Sequence, residues 1–176
     1  GHEDLRRQCL DLPKYGNDSP GVDAMVADAA GHVFGYLQQQ TFWNGDCYIG
    51  FCASAPGWHV IFGKSTGATP DGRLAGTPLA NAMGPAQGTD RSGPTAMLNS
   101  LNRVELSKAI GTPVVNISFR KELFAPGYYD HLATLVRTFF RRGGMQLQFT
   151  VTDKGTLVDA MRNPSCHMDL MVRVSG

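Results

Sequence analysis

Residues able to do chemistry are scattered along this chain of 176 residues rather than gathered in one motif. Four cysteines, Cys9, Cys47, Cys52 and Cys166, are the candidate nucleophiles and soft metal ligands. None forms a Cys-x-x-Cys pair, and Cys47 and Cys52 stand apart with no second pair to match them, which argues against a zinc site. They read as free thiols of a reducing, cytoplasmic protein. His32 lies inside a helical pattern with no second ligand one turn away, so it reads as a helix-surface residue. His59, between Trp58 and Val60, reads as a core histidine with a backbone partner. Gly63-Lys64-Ser65 imitates the end of a phosphate loop, but Trp58 stands where the first glycine of that motif is required, which excludes nucleotide binding there. Arg141-Arg142 suits the C-terminal end of a helix better than a phosphate site. There remains the terminal run Met171-Val172-Arg173-Val174-Ser175-Gly176, a short apolar strand pattern that ends on a glycine. By itself it reads as a strand entering an ordinary turn.

The elements that must position these residues follow from pattern. Residues 3–12 suit a short helix that Pro13 ends. Ser19-Pro20 opens a second helix, with Ser19 as cap, Pro20 in the first position and Asp23 favoured by the helix dipole. Val22, Met25, Val26, Ala29, Val33 and Leu37 form its apolar stripe to about Gln40. Residues 41–94 are loop-rich, and their aromatic side chains suggest one wall of a pocket. A short buried strand is expected at 47–52 and an extended segment at 58–62. Pro-Asp-Gly at 70–72 is a strong turn core. From Pro94 the spacing predicts a helix (Met97, Leu98, Leu101, Val104) and a strand over 114–119. A helix follows with the stripe Leu132, Leu135, Val136, Phe139, Phe140, then the left-handed cap Gly143. A strand over 145–151 alternates apolar and polar residues, Asp153 caps a short helix, and 170–174 forms the last strand. This β-α-β-α-β order implies parallel strands and right-handed crossovers. The amide face Gln146 and Gln148 points to a polar interior, such as a barrel lumen.

An apolar content of 42% and a charged content of 18% belong to a folded protein, and the chain suits one domain. A net charge of +1 gives no electrostatic footprint for nucleic acid or an anionic membrane. No apolar run is long enough to span a bilayer, and the charged first residues do not suit a signal peptide. Neither nucleic-acid nor membrane partners are expected. The abundance of glycine, 21 residues, with 10 prolines, implies many tight turns.

Several blocks occur in order: Tyr15-Gly16-Asn17-Asp18, then Gly63 to Arg73 with Thr69-Pro70-Asp71-Gly72-Arg73, Gly93-Pro94-Thr95-Ala96, Gly143-Gly144-Met145-Gln146-Leu147-Gln148-Phe149, and Arg173-Val174-Ser175-Gly176. Together they closely resemble the C-terminal part of the glycyl radical enzymes, the family of pyruvate formate-lyase and its dehydratase, decarboxylase and lyase relatives. The resemblance implies an α/β fold, the C-terminal part of a ten-stranded α/β barrel of the pyruvate formate-lyase type. It makes residues 1–176 one C-terminal glycyl radical domain: 1–40 helical, 41–94 loop-rich, 95–176 alternating helix and strand.

By the same resemblance Gly176 is the catalytic, radical-storing glycine, with Arg173 and Ser175 fixing its loop. Thr69, Asp71 and Arg73 brace the interior. No cofactor is bound and no metal is expected. The radical would be installed by an iron–sulfur activating enzyme that cleaves S-adenosylmethionine, and passed to a catalytic cysteine outside this chain. None of the four cysteines takes that role, and the substrate-binding residues are unassigned. The expected partners are the activating enzyme, the remainder of the barrel or another subunit, and a small-molecule substrate. Open sheet edges of a partial barrel predict a homo-oligomer. The other reading is a non-catalytic radical-carrying subunit, or repair module, that docks on a partner.

Overall fold

The computed structural model describes residues 1–52, 57–111, 113–151 and 153–168. Two helices open the chain, α1 (His2–Asp11) and α2 (Pro20–Gln39). A three-residue strand β1 (Gly50–Cys52) and the helix α3 (Trp58–Ser65) follow. After a long connection come α4 (Gly93–Leu101), β2 (Ala109–Gly111), β3 (Val114–Phe119), α5 (Tyr129–Arg141), β4 (Gln146–Val151) and α6 (Lys154–Arg162). Short 3-10 turns occupy Leu106–Lys108, Lys121–Phe124 and Pro164–Cys166.

The strands pair in parallel. β1 pairs with β2, and β3 pairs with β4 in the register Val114↔Gln146, Asn116↔Gln148 and Ser118↔Thr150. The β3-α5-β4 unit is thus the parallel crossover that the alternation predicted. Val115, Ile117 and Phe119 turn to one side and join Met97, Leu98, Leu101 and Phe139 in the core, with Leu132, Leu135 and Leu147 packed against them. The predicted apolar stripes of α4 and α5 meet there. Phe139, 1% exposed, is the largest fully buried side chain. α5 stops at Gly143, whose φ of +96° only glycine adopts without strain. The next residue is glycine for a different reason. A Cβ on Gly144 would overlap the Phe139 ring.

Several expectations fail, each for a physical reason. Residues 58–62 are not extended but form the first turns of α3. Gly57 at φ +82° reverses the chain, and its carbonyl accepts the Val60 and Ile61 amides at 3.0 and 3.1 Å. Trp58 and Phe62 then pack one turn apart with their rings tilted, centroids 5.0 Å apart. No polar cap announces this helix. Gly63, which reads as a helix breaker, sits inside it because a Cβ would strike the Thr77–Pro78 backbone, 2.8 Å from the Pro78 Cα.

The buried strand expected over 47–52 shrinks to β1, in which Phe51 is 67% exposed. Cys47 instead closes a hairpin by a single antiparallel bridge to Thr41, and Phe42 stacks on Tyr48 at 3.9 Å. Ser19 caps α2 through its carbonyl, which accepts the Asp23 amide at 2.9 Å, not through its hydroxyl. Along α2 the expected apolar stripe stays largely open, with Met25 72% exposed, while Asp23 is the buried residue. The expected last strand, 170–174, lies outside the described residues.

Candidate functional site

The blocks that carry chemistry in sequence do three structural jobs. The first is a long-range clamp. Asn17 accepts the Arg91 and Ser92 amides on Oδ1 at 2.8 and 3.0 Å. Its Nδ2 donates to the Thr89 and Lys14 carbonyls at 2.7 and 3.2 Å. All four polar valences of the carboxamide are used. Ser92, the cap residue of α4, makes no capping bond with its side chain, so Asn17 holds the chain at the entry of that helix.

Asp18, held at φ +53°, gives its amide to the Ser100 hydroxyl at 2.9 Å. That hydroxyl donates to Asp23 Oδ2 at 2.9 Å, and both Ser100 and Asp23 are fully buried. Arg103 stands 3.5 Å from Asp23 and 3.4 Å from Asp18. Burial, and then the Asp23 charge, push the Tyr15 phenol up. Asn99 links Asp18 at 2.9 Å to Arg142 at 2.6 Å. The network ties α2, α4 and the end of α5 into one frame behind β3. It also gives Arg142 a partner beyond the helix end expected for it. The sequence reading missed this buried group, and Asp23 in the first turn of α2 was its only local sign.

The second job is the turn over residues 66–77. Arg73 Nε donates to Thr69 Oγ1 at 3.2 Å, and Nη1 reaches the Thr77 and Leu74 carbonyls at 2.6 and 3.1 Å. Nη2 bonds the Gly67 carbonyl, and the Thr69 hydroxyl donates to Asp71. Burial pushes the Asp71 carboxyl up. The Thr69 hydroxyl, the Arg73 amide and the Arg73 charge outweigh it and hold the group below its ordinary range. Arg6 of α1 donates to the Gly72 carbonyl at 3.1 Å, which docks α1 on the turn. Thr69, Asp71 and Arg73 therefore brace their own loop by hydrogen bonds, not the interior for which the sequence reading had them.

The third job is a polar sheet face. With Val115, Ile117 and Phe119 turned to the core, Asn116 and Ser118 share the other face with Gln146, Gln148 and Thr150 of β4. The amide face expected of β4 is thus continued on β3. Asn116 is the residue the sequence reading missed. Its signal was the polar alternation Asn116, Ser118 inside an apolar strand. Beside it, a cavity of about 420 Å³ opens between β3, the start of α4 and residues 81–90, with Asn116, Ser118 and Arg120 in its wall.

Other candidates are placed more simply. His32 is exposed on α2, and the half-buried His59 accepts the Leu79 amide on its carbonyl at 3.0 Å. The four cysteines are free, and burial pushes the Cys52 thiol up, which opposes a thiolate there. No cluster of three metal-ligating side chains occurs among the described residues. No helix among them is long and apolar enough to cross a membrane. Arg173, Ser175 and Gly176 lie outside the described residues.

The Glycine radical family model matches residues 79–176, more than half of the chain. The chain belongs to the glycyl radical family. A probable dehydratase of Escherichia coli (strain K12), YbiW, is 36% identical over 99% of this chain and 23% of its own length. The solved structure describing 1,2-propanediol dehydration in Roseburia inulinivorans superposes with a TM-score of 0.88 at 36% identity, covering 99% of this chain and 22% of that one. The glycerol-bound B12-independent glycerol dehydratase of Clostridium butyricum gives a TM-score of 0.87 at 34% identity, over 98% of this chain and 22% of that one. The fold is therefore that of the glycyl radical enzyme barrels, and the expected fold class is borne out. The chain spans about a fifth of the length of the relatives it matches.

Proposed function

We propose that this chain is the radical-storing part of a glycyl radical enzyme, a dehydratase or lyase acting on a small metabolite. The observation that carries it is the family match, which runs through Arg173-Val174-Ser175-Gly176 to residue 176. Gly176 stores the radical. Loss of a Cα hydrogen atom leaves one unpaired electron shared with the adjacent amide nitrogen and carbonyl carbon. With no Cβ, that centre flattens without steric conflict. A radical S-adenosylmethionine activating enzyme removes the hydrogen atom. A cysteine outside this chain then returns one to Gly176, and its thiyl radical opens the reaction on the substrate. Arg173 and Ser175 hold the glycine loop.

This chain's described residues supply the frame. The clamp and the buried network fix α4 and α5, and these fix β3 and β4, whose polar face turns toward the barrel lumen. Met25 on α2 and Phe51 on β1 are largely exposed, as expected of surfaces that the remainder of the barrel covers. The competing reading, a separate radical-carrying subunit, is decided by the size of the native polypeptide in an oxygen-free extract. A species far above 19.0 kDa supports the single-chain enzyme.

The test is anaerobic activation of the complete gene product, followed by electron paramagnetic resonance. A glycyl radical doublet is expected in the wild type and none in Gly176→Ala. A doublet that survives Gly176→Ala would refute the assignment. So would its absence from wild type when the same activating enzyme charges a control enzyme.

A further inference from the structure

Polar contacts tie α6 to the frame at its start and to the chain beyond it at its end. Lys121, two residues past β3, reaches Asp153 Oδ2 at 3.0 Å. At the far end Asp159 serves two donors, one on each carboxylate oxygen. Asn163 Nδ2 donates to Oδ1 at 2.9 Å, and His167 Nε2 lies 2.7 Å from Oδ2. An ionised carboxylate only accepts, so the imidazole carries a proton on Nε2 and donates it. These two bonds, the imidazole's first, hold the Asp159 carboxyl below its ordinary range.

Both donors follow Asp159 in sequence, so its carboxylate is spent on the exit from α6. Pro164 cannot continue the helix. The Asn163 carbonyl accepts the Cys166 amide at 3.0 Å, and the Pro164 carbonyl accepts the His167 amide at 3.2 Å. This turn carries His167 back along α6 to a partner eight positions earlier. Among the described residues, His167 is the last whose side chain makes a hydrogen bond. Gly176 stands nine positions after it.

We infer that Asp159 and His167 are positioning residues that fix the point from which the chain runs to the radical glycine, and so set how long the stored radical survives. This inference rests on the assignment of Gly176. A carbon-centred radical lasts only while oxygen and water are kept from it. Nine residues reach at most about 30 Å, so the His167 tether acts within one short segment of the glycine. A partly exposed bond of this kind changes how often a segment opens locally, by a small factor, and leaves global stability almost untouched.

The test uses the complete gene product, activated without oxygen. A fixed amount of oxygen is then admitted, and decay of the glycyl doublet is followed by electron paramagnetic resonance. His167→Phe keeps a ring and removes the donor, and decay should quicken about threefold. Asp159→Ala frees both donors and should decay faster still. His167→Gln places an amide donor near the position of Nε2 and should decay as wild type does. The double variant of His167→Phe with Asp159→Ala should be no faster than Asp159→Ala alone, because the shared bond is lost only once. Thermal denaturation of all these variants should match wild type.

Wild-type decay in His167→Phe would overturn the pair, and so would decay in His167→Gln as fast as in His167→Phe. Additive effects in the double variant would overturn it as well. A melting temperature that falls in step with faster decay would mean a general weakening, and would count against it too. If Asp159→Ala misfolds, the phenylalanine and glutamine variants decide the matter. A doublet whose decay ignores His167 refutes the pair alone. No doublet in wild type, or one that survives Gly176→Ala, refutes the assignment of the glycine.

Discussion

Replacing Asn17 tests whether a single amide, distant in sequence, sets the entry of α4. Asn17→Ala removes two part-buried bonds to the Lys14 and Thr89 carbonyls and two exposed bonds from the Arg91 and Ser92 amides. With a net value of about 1 kcal/mol for each part-buried bond and about half that for each exposed one, the loss comes to about 3 kcal/mol. Local opening at residues 89–92 should then become roughly 100-fold more frequent. Hydrogen–deuterium exchange of the complete protein reads this directly, as faster exchange of the Arg91 and Ser92 amides.

Asn17→Asp is the sharper variant. Its carboxylate can still accept both amides, but it confronts the Lys14 and Thr89 carbonyls with oxygen where nitrogen stood. It should lose protection at least as fully as the alanine variant. Wild-type protection in Asn17→Asp would refute the reasoning, because it would mean that the donating half of the amide contributes nothing.

Two further changes follow from the packing and the caps. Gly144→Ala places a methyl group against the Phe139 ring at the centre of the core, so it should destabilise by about 1–3 kcal/mol; thermal denaturation that matches wild type would show that the ring moves aside freely. Asp153 accepts the Thr156 amide at 2.9 Å, and this bond, with the Lys121 ammonium and the Thr156 hydroxyl, brings its carboxyl down to about 2. A lowered carboxyl favours the folded form above the ordinary carboxylate range, and that contribution fades as pH falls toward 2. Protection of the α6 amides, measured against their intrinsic exchange at each pH, should therefore fall in wild type over that acid range. Asp153→Ala should be fast already at neutral pH, with a flatter profile; equal profiles would remove the cap from the account.

The sequence by itself determined the elements whose signals are local. The stripe over 132–140 and Gly143 define α5 and its end. The alternation over 145–151 defines β4, and Asp153 defines the start of α6. Each is set by neighbours within about one turn or one strand, so a periodic pattern suffices. The ordered blocks from Tyr15 to Gly176 also sufficed for the family.

What only the tertiary structure decided depends on partners far along the chain. Asn17 meets residues 74 and 75 positions away, and Asp23 meets Ser100 across 77. A pattern read over a dozen residues cannot register such pairs. α3 was missed because Gly57 starts it by a backbone reversal and Gly63 yields its side chain to the Thr77–Pro78 backbone. Glycine in sequence reads as a break, whereas here it marks a close approach. Asn116 was missed because its meaning lies in register. Only the parallel pairing of β3 with β4 sets it beside Gln148.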